Sequence, residues 1–272
     1  MTEKAKSVAD NLLNELIQFG KTKRMKVKTL MKHFNYEKRT EDSATQITEI
    51  LFERSIIVHP SIMKIGDNWP LKFDDQVYLS LLTMDSSINA ASSDAFPENW
   101  NSDGWFDSLS GKIFRTEKEV ESKLLLPLLT RLGYTESDRY DGMPVSGAYG
   151  SRKKALEVDY GLFNKDNISL AGQVLLIAEA KKESRLVKSV ELDNARNQVR
   201  SYGVFSGCLF GLITDAKIIE VISLYPIMDN NGDIEIFKCG LDELKKNFGE
   251  LYKLVSKESL THRYGKLLKI QE

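Results

Sequence analysis

A short apolar run, Val174 to Ala180, limits the folds open to this chain more than any other segment. It predicts a buried β-strand, and its end carries Glu179 and Lys181, which are two residues apart and therefore point to one face. The run Leu156 to Phe163 predicts a second strand with Asp159 at its centre. An antiparallel hairpin of the two strands places Asp159 beside the other two charged groups. Such strands alternating with helices predict an α/β fold.

These charged groups predict metal-dependent chemistry. Two carboxylates that converge at strand ends offer the hard oxygen ligands that Mg²⁺ prefers, and the carbonyl of Ala180 is available as a further ligand. A lysine beside the metal can orient or deprotonate the attacking water and offset charge on a scissile phosphate. These residues therefore indicate a site suited to Mg²⁺, with Mn²⁺ as a substitute, at Asp159 and Glu179, and a lysine that can assist chemistry on a phosphate. A surface ion pair is the alternative.

Helices are predicted on both sides of the two strands. Apolar residues at helical spacing fill the segment from Glu117 to Gly133, and Thr116 is a suitable N-cap. Another helix, from about Val187 to Tyr202, follows the charged motif and carries Gln198 and Tyr202 on one face, because they are four residues apart. Residues 241 to 270 predict terminal helices that cover the sheet.

Val158-Asp159, followed by Ile177-Ala178-Glu179-Ala180-Lys181, resembles the PD-(D/E)xK nuclease superfamily. The Gln198 to Tyr202 segment matches the QxxxY element in the nuclease domains of type I restriction enzyme R subunits. Residues 116 to 134 look like the opening helix of that N-terminal domain, so the resemblance covers residues 113 to 260. It implies a restriction-endonuclease-like αβββαβ core, which is a mixed sheet flanked by helices.

The resemblance also assigns roles to individual residues. Asp159 and Glu179 are metal ligands, Lys181 is the catalytic lysine, and Glu117 is the helix carboxylate that completes the site. Glu121, one turn later, is the alternative for that last role. The resemblance places Gln198 and Tyr202 on the DNA-side wall of the site, and helix–sheet packing is the alternative for both.

Two features depart from that family. The chain has no room for the translocase of type I R subunits and no phosphate loop, so it cannot couple cleavage to ATP by itself. The glycine-rich loop from Gly142 to Lys154 ends in Arg152, Lys153 and Lys154, which we expect to contact a backbone phosphate.

Residues 1 to 84 predict a separate winged-helix-like domain: three helices followed by strands, with the third helix as the recognition helix. The segment from Lys21 to Arg39 holds eight basic residues against the single acid Glu37, a net charge of +7. We expect this run to bind DNA phosphates and the domain to supply contacts or target choice; a protein-docking role is the alternative. The basic side chains concerned are Lys23, Arg24, Lys26 and Lys28.

A linker is predicted between the two domains at residues 85 to 111. Of its 27 residues, 16 are Ser, Asn, Asp or Gly, while interspersed aromatic residues predict that parts of it are packed. Residues 112 to 272 then form the nuclease-like domain. On this division, the second domain alone is expected to bind DNA more weakly but still to cut it.

Composition excludes several classes of protein. The two cysteines lie too far apart for a cysteine-built zinc site, and they exclude a disulfide framework. No apolar run approaches the roughly 18 residues of a membrane helix, and the amphipathic start predicts a cytoplasmic protein. The net charge of −1, from 38 basic and 39 acidic residues, favours no partner by itself.

The sequence thus predicts a Mg²⁺-dependent endodeoxyribonuclease, and the resemblance implies a setting in restriction or phage defence. The expected partners are DNA and either further restriction-system subunits or a second copy of the chain. Two alternatives stay open: an RNase or toxin with the same core, and a non-catalytic DNA-binding regulator on a nuclease scaffold.

Overall fold

A computed structural model describes residues 3–19, 22–64, 69, 71–81, 96–145, 156–170, 172–224 and 234–267. This part of the chain is mixed α/β. It contains a three-stranded antiparallel sheet near the N-terminus and a six-stranded mixed sheet in the remainder. Within the same ranges, no helix is both long enough and apolar enough to cross a membrane.

The first sheet belongs to a compact N-terminal block. Its elements are α1 (Glu3–Phe19), β1 (Lys23–Lys26), α2 (Val27–His33), α3 (Glu41–Phe52), β2 (Ile56–His59) and β3 (Gln76–Leu81). The strand order is β1-β3-β2. Thr40 is the N-cap of helix α3, and its side chain accepts a hydrogen bond from the backbone N–H of Ser43 in a capping box. Strand β1 was not expected, because only Met25 among its four residues is apolar.

The six-stranded sheet has the order β4-β5-β6-β7-β8-β9. Strands β6 and β7 are parallel and are connected by helix α6 (Ser189–Ser206), while the other neighbours are antiparallel. The β5–β6 hairpin is as expected, with Tyr160 opposite Ala178. The strands are β4 (Arg139–Val145), β5 (Leu156–Leu162), β6 (Leu176–Ala180), β7 (Phe210–Thr214), β8 (Ile218–Ser223) and β9 (Ile234–Gly240).

Strand β4 lies at one edge of this sheet, where the sequence predicted only a polar loop. It contains Gly142 and Pro144, and a proline is tolerated at an edge because its missing N–H removes no interior ladder bond. The expected phosphate-binding residues Arg152, Lys153 and Lys154 lie outside the described residues.

Helices cover both faces of the six-stranded sheet. On one face lies a helical segment formed by α4 (Glu117–Val120), a π-type turn (Glu121–Leu125) and α5 (Leu126–Arg131). It packs there with α7 (Leu244–Val255) and α8 (Lys257–Leu267). Helix α6 packs on the opposite face.

Two glycines let α6 approach the sheet closely. A Cβ added to Gly211 of β7 would overlap the Cγ1 of Val199, and one added to Gly203 would overlap the Cδ1 of Leu224. Both residues therefore set the distance between α6 and the strands that it covers.

The N-terminal block shares a core with the α6 face of the sheet. Buried residues of α3, β2 and β3 form one apolar cluster with Ile177, Tyr202 and Phe205. The contact also contains a polar bridge, in which His59 Nδ1 lies 2.7 Å from Gln173 Oε1. Residues 96–111 pack on the other face, where Phe96 and Trp100 contact Phe248.

Helix α3 does not have the environment of a recognition helix. It packs against β2 and α6, and seven of its twelve residues are buried. It carries Glu41, Asp42 and Glu49 and no basic residue. This acidic, largely buried helix offers no basic side chain to DNA phosphates, so these features do not favour the expected role of α3 as a recognition helix.

Candidate active site

Asp159 and Glu179 lie side by side on neighbouring strands. The carboxylate of Asp159 accepts a hydrogen bond from the backbone N–H of Ala180 through Oδ2, at 2.7 Å. In return, the backbone N–H of Asp159 lies 3.4 Å from Glu179 Oε2. Glu179 is 3% exposed. The β5–β6 hairpin therefore holds two carboxylates together in a poorly solvated place.

Lys181 lies beside this pair, as the sequence predicted. Its Nζ donates to Glu179 Oε1 at 2.7 Å, and its own backbone N–H donates to the carbonyl of Thr214 at 2.7 Å. The side chain of Lys181 is mostly buried. The backbone bond ties the end of β6 to β7 and fixes the direction in which the lysine leaves the strand.

Burial and mutual repulsion govern the ionisation of the two carboxylates. Burial first, and then the negative charge of Asp159, raises the pKa of Glu179 to about 7, against the opposing effect of Lys181. Burial likewise raises the pKa of Asp159. One lysine does not compensate two adjacent carboxylates, so the site favours an additional positive charge.

Two further carboxylates reach the site from the helical segment of residues 117 to 131. Glu117 Oε2 accepts from the backbone N–H of Lys182 at 3.1 Å. Glu121 lies in the π-type turn, and its Oε1 accepts from the hydroxyl of Tyr160 at 3.0 Å and pairs with Lys118. Both glutamates raise the pKa of Asp159, and Glu121 has the larger effect. The structure thus brings both candidates for the helix carboxylate near Asp159.

Gln198 and Tyr202 form a relay of hydrogen bonds behind Glu179. Gln198 Nε2 donates to Glu179 Oε1 at 3.1 Å and also to the Tyr202 hydroxyl. The hydroxyl donates in turn to the backbone carbonyl of Glu157 at 2.9 Å. Tyr202 is only 2% exposed. A residue on the DNA-side wall of the site must be exposed to DNA, and the side chain of Tyr202 is not. Its environment is that of helix–sheet packing, the alternative stated above.

Asp159 and Glu179 fit the requirements of a magnesium site. Mg²⁺ is commonly held by one or two carboxylates, with water and substrate phosphate completing its shell. Within the described ranges, Asp159 Oδ1 and Glu121 Oε2 receive no hydrogen bond, so both oxygens are available to a cation. The same ranges contain no preformed group of three or more Asp, Glu, His or Cys ligands. A bound cation would therefore use Asp159 and Glu179, together with one helix glutamate or a backbone oxygen such as the Ala180 carbonyl.

Three basic residues of the Lys21–Arg39 run are paired with acids. Lys23 pairs with Glu15, and both Lys26 and Lys28 pair with Asp74, at 3.1 and 2.6 Å. Arg24 is exposed, and its guanidinium lies 5.9 Å from the Tyr78 ring centroid. Pairing reduces the positive field of this run below the value that its sequence charge suggests.

Tyr160 is a site residue that the sequence did not indicate. It follows Asp159 in β5, so alternation directs it to the opposite face, where it meets the helix that carries Glu121. Burial and the nearby Glu121 raise the pKa of Tyr160, which keeps the hydroxyl protonated as a donor. The available signal was an aromatic residue with a hydroxyl group next to Asp159.

Comparisons with known proteins give one distant likeness. No protein-family model matches the chain, and no curated protein matches it. Among solved structures, the chain is similar to the type IIG restriction endonuclease BpuSI, with 13% sequence identity and a TM-score of 0.29. The match covers 65% of this chain and spans 19% of that one. A likeness at this level carries no argument about activity.

Proposed function

We propose that this chain is a Mg²⁺-dependent endodeoxyribonuclease of the PD-(D/E)xK type. The observation that carries the proposal is the convergence of Asp159, Glu179 and Lys181 at the β5–β6 hairpin. Lys181 Nζ lies 2.7 Å from Glu179 Oε1, and the backbone N–H of Asp159 lies 3.4 Å from Glu179 Oε2. The order of the helical segment 117–131, strands β4 to β6, α6 and β7 supports an αβββαβ core.

Each residue then has a distinct task. Asp159 and Glu179 would hold Mg²⁺, with Mn²⁺ as a substitute, and the ion would offset phosphate charge and lower the pKa of a water molecule. Lys181 Nζ is placed to hold a proton next to that water and to offset negative charge on the scissile phosphate. Gln198 fixes the orientation of the Glu179 carboxylate through Oε1.

We assign the N-terminal block, residues 1–84, to a winged-helix-like domain, followed by a linker (85–111) and the nuclease-like domain (112–272). The element order α1-β1-α2-α3-β2-β3 and the antiparallel sheet order β1-β3-β2 support this assignment. We place this activity in a restriction or phage-defence setting in the cytoplasm. The proposed partners are DNA and either further restriction-system subunits or a second copy of the chain.

The decisive experiment is cleavage of methylated and unmethylated supercoiled plasmid by the full chain. We expect cleavage with Mg²⁺ or Mn²⁺, none in EDTA, and a loss of about a hundredfold or more in Asp159→Ala and in Lys181→Ala. Lys165→Ala is the matched control, because Lys165 is an exposed lysine on the turn that follows β5 and makes none of the site's hydrogen bonds.

Two results would contradict the proposal. Full cleavage in EDTA excludes the metal-dependent mechanism, and undiminished cleavage by either purified variant excludes the assigned residues. An RNA competitor in the same assay addresses the RNase alternative: preferential cleavage of RNA would change the substrate but keep the site. DNA binding without any cleavage would identify a non-catalytic regulator.

A further inference from the structure

The segment that directly follows Lys181 forms an exposed surface, residues 182–190, which we call the ledge. Val187 and Val190 on it are 64% and 68% exposed, although both are apolar. Lys182 and Lys188 are also exposed, and they alternate with the valines along the chain. The ledge thus combines apolar and cationic side chains immediately beside the candidate active site.

The backbone of the ledge is held firmly from several sides. The backbone N–H of buried Leu186 donates to Asp215 Oδ2 at 2.6 Å. Glu183 accepts from the backbone N–H of Phe114 at 2.6 Å, and it pairs with Lys217 at 3.0 Å. Since these contacts fix the backbone, the exposure of the two valines is a property of the folded surface and not of a loose loop.

The charges of the ledge lack internal compensation. Arg185 pairs with Glu191 at 2.9 Å, but neither Lys182 nor Lys188 has an acidic partner among the residues that the structure describes. This contrasts with the N-terminal basic run, where Lys23, Lys26 and Lys28 are paired with acids. Two lysines without acidic partners give this surface a local positive charge. That charge attracts a polyanion toward the neighbouring acidic site, which would otherwise repel it.

We propose that the ledge is the DNA-contact surface that holds the duplex next to the scissile phosphate; this inference rests on the proposed nuclease function. Lys182 and Lys188 contact backbone phosphates. Val187 and Val190 pack against the sugar and base edges of a groove, a use that apolar side chains have in many proteins that bind DNA grooves. The charge complementarity of the lysines selects nucleic acid over an apolar protein partner.

The two kinds of side chain predict different binding signatures, which can be measured with a labelled DNA duplex and the full chain in EDTA, where no cleavage occurs. The double variant Lys182→Gln/Lys188→Gln should lower the slope of log affinity against log salt by about 1.8, since each phosphate contact contributes about 0.9. The double variant Val187→Ser/Val190→Ser should weaken binding about tenfold at every salt concentration and leave the slope unchanged.

A matched control lies on a turn elsewhere in the chain. Lys165→Gln/Ile168→Ser changes one exposed lysine and one apolar residue that is 90% exposed, and it should bind as the wild type does. Melting temperatures of all variants should agree with that of the wild type, because every substituted side chain is exposed.

The outcomes separate the ledge from the nuclease proposal. If the wild type binds and cuts DNA but both ledge variants bind like the control, the ledge inference is wrong and the nuclease function stands. If the wild type neither binds nor cuts DNA, both fail. Tighter binding of an RNA duplex of the same sequence would overturn the assignment of DNA as the occupant.

Discussion

Glu179 is held by donors on both of its carboxylate oxygens. Oε1 receives Lys181 Nζ and Gln198 Nε2, while the backbone N–H of Asp159 approaches Oε2. The donors come from β6, α6 and β5, so the orientation of one carboxylate depends on three elements. If Glu179 binds Mg²⁺ as proposed, a carboxylate that is already oriented in this way needs little rearrangement on binding, which is how neighbouring groups tune metal affinity.

The first residue-scale prediction concerns the relay behind Glu179. Gln198→Ala removes a donor to Glu179, and Tyr202→Phe removes the hydroxyl that holds Gln198 while it keeps the buried ring. We expect either change to lower cleavage about tenfold or more, as is usual for groups that orient metal ligands. Tyr202→Phe should also cost about 0.5 to 1.5 kcal/mol of unfolding free energy, because the hydrogen bond from the Tyr202 hydroxyl to the carbonyl of Glu157 is lost.

Cleavage rates and denaturant unfolding curves of the two purified variants check this prediction. A lower stability of Tyr202→Phe at unchanged specific cleavage, together with normal cleavage by Gln198→Ala, would mean that the pair only packs α6 on the sheet.

The second residue-scale prediction decides between Glu117 and Glu121. Glu121 affects Asp159 more strongly, and Tyr160 and Lys118 both bind its Oε1, so Oε2 stays available within the described structure. Glu117 accepts a bond from the backbone of Lys182 through Oε2, and its effect on the pKa of Asp159 is smaller. We therefore expect the Mg²⁺ concentration that gives half of the maximal response, in melting temperature or in cleavage rate, to be about tenfold higher for Glu121→Gln than for Glu117→Gln.

Two readouts apply to both glutamine variants. Mg²⁺ raises the melting temperature of a protein that binds it only when folded, so the midpoint of that rise reports affinity without cleavage. The Mg²⁺ dependence of the cleavage rate is the second. A larger effect of Glu117→Gln in both would assign the role to Glu117 instead.

At the scale of elements, the sequence predicted those whose apolar pattern is strong. Helices α1, α3 and α6 and strands β5 and β6 follow their periodicity. Strands β1 and β4 were missed because their residues are mostly polar, or include glycine and proline, and pairing with a neighbouring strand stabilises them. The docking of α3 on α6 could not be predicted, since periodicity gives the apolar face of a helix but not the partner of that face.

The site was predictable to a similar degree. The spacing of Glu179 and Lys181 on one strand, and the hairpin that brings Asp159 to them, followed from strand geometry alone. The Tyr160–Glu121 bond did not, because it joins residues 39 apart through a π-type turn that no sequence signal marked.

One prediction belongs to the contact between α6 and the sheet. Gly211→Ala places a Cβ against Val199, so α6 must move outward and carry Gln198 away from Glu179. We expect a loss of about 1 to 3 kcal/mol in unfolding free energy, as in other overpacked cores, together with slower cleavage. Gly249→Ala in α7 is the control, because its Cβ meets open space and should stabilise the helix by about 0.5 to 1 kcal/mol.

Urea unfolding and plasmid cleavage, measured on both alanine variants, test this prediction. Wild-type stability and rate in Gly211→Ala would show that α6 can shift without effect on the site.

At the scale of the whole molecule, the N-terminal block covers the helix that carries the relay. Residues of α3 and β2 share one apolar cluster with Tyr202 and Phe205, and the buried His59–Gln173 contact joins the block to the turn before β6. The expectation that residues 112 to 272 cut DNA alone treats the block as an accessory. The shared core instead indicates that the block supports α6, because its removal exposes the apolar face that α3 now covers.

A chain starting at residue 112 should therefore unfold without a sharp transition, bind a hydrophobic dye and lose cleavage, whatever the salt concentration.

The full chain with Lys23, Arg24, Lys26 and Lys28 replaced by Gln keeps the shared core and should retain a cooperative transition and its cleavage at low salt. The slope of its log affinity for DNA against log salt should change by less than the loss of four phosphate contacts predicts. The reason is that three of the four residues are already paired with Glu15 or Asp74. Thermal unfolding, dye fluorescence and cleavage of the two proteins, measured side by side, separate support of α6 from contact with DNA. Cooperative unfolding and wild-type cleavage by the shortened chain would return the block to an accessory role.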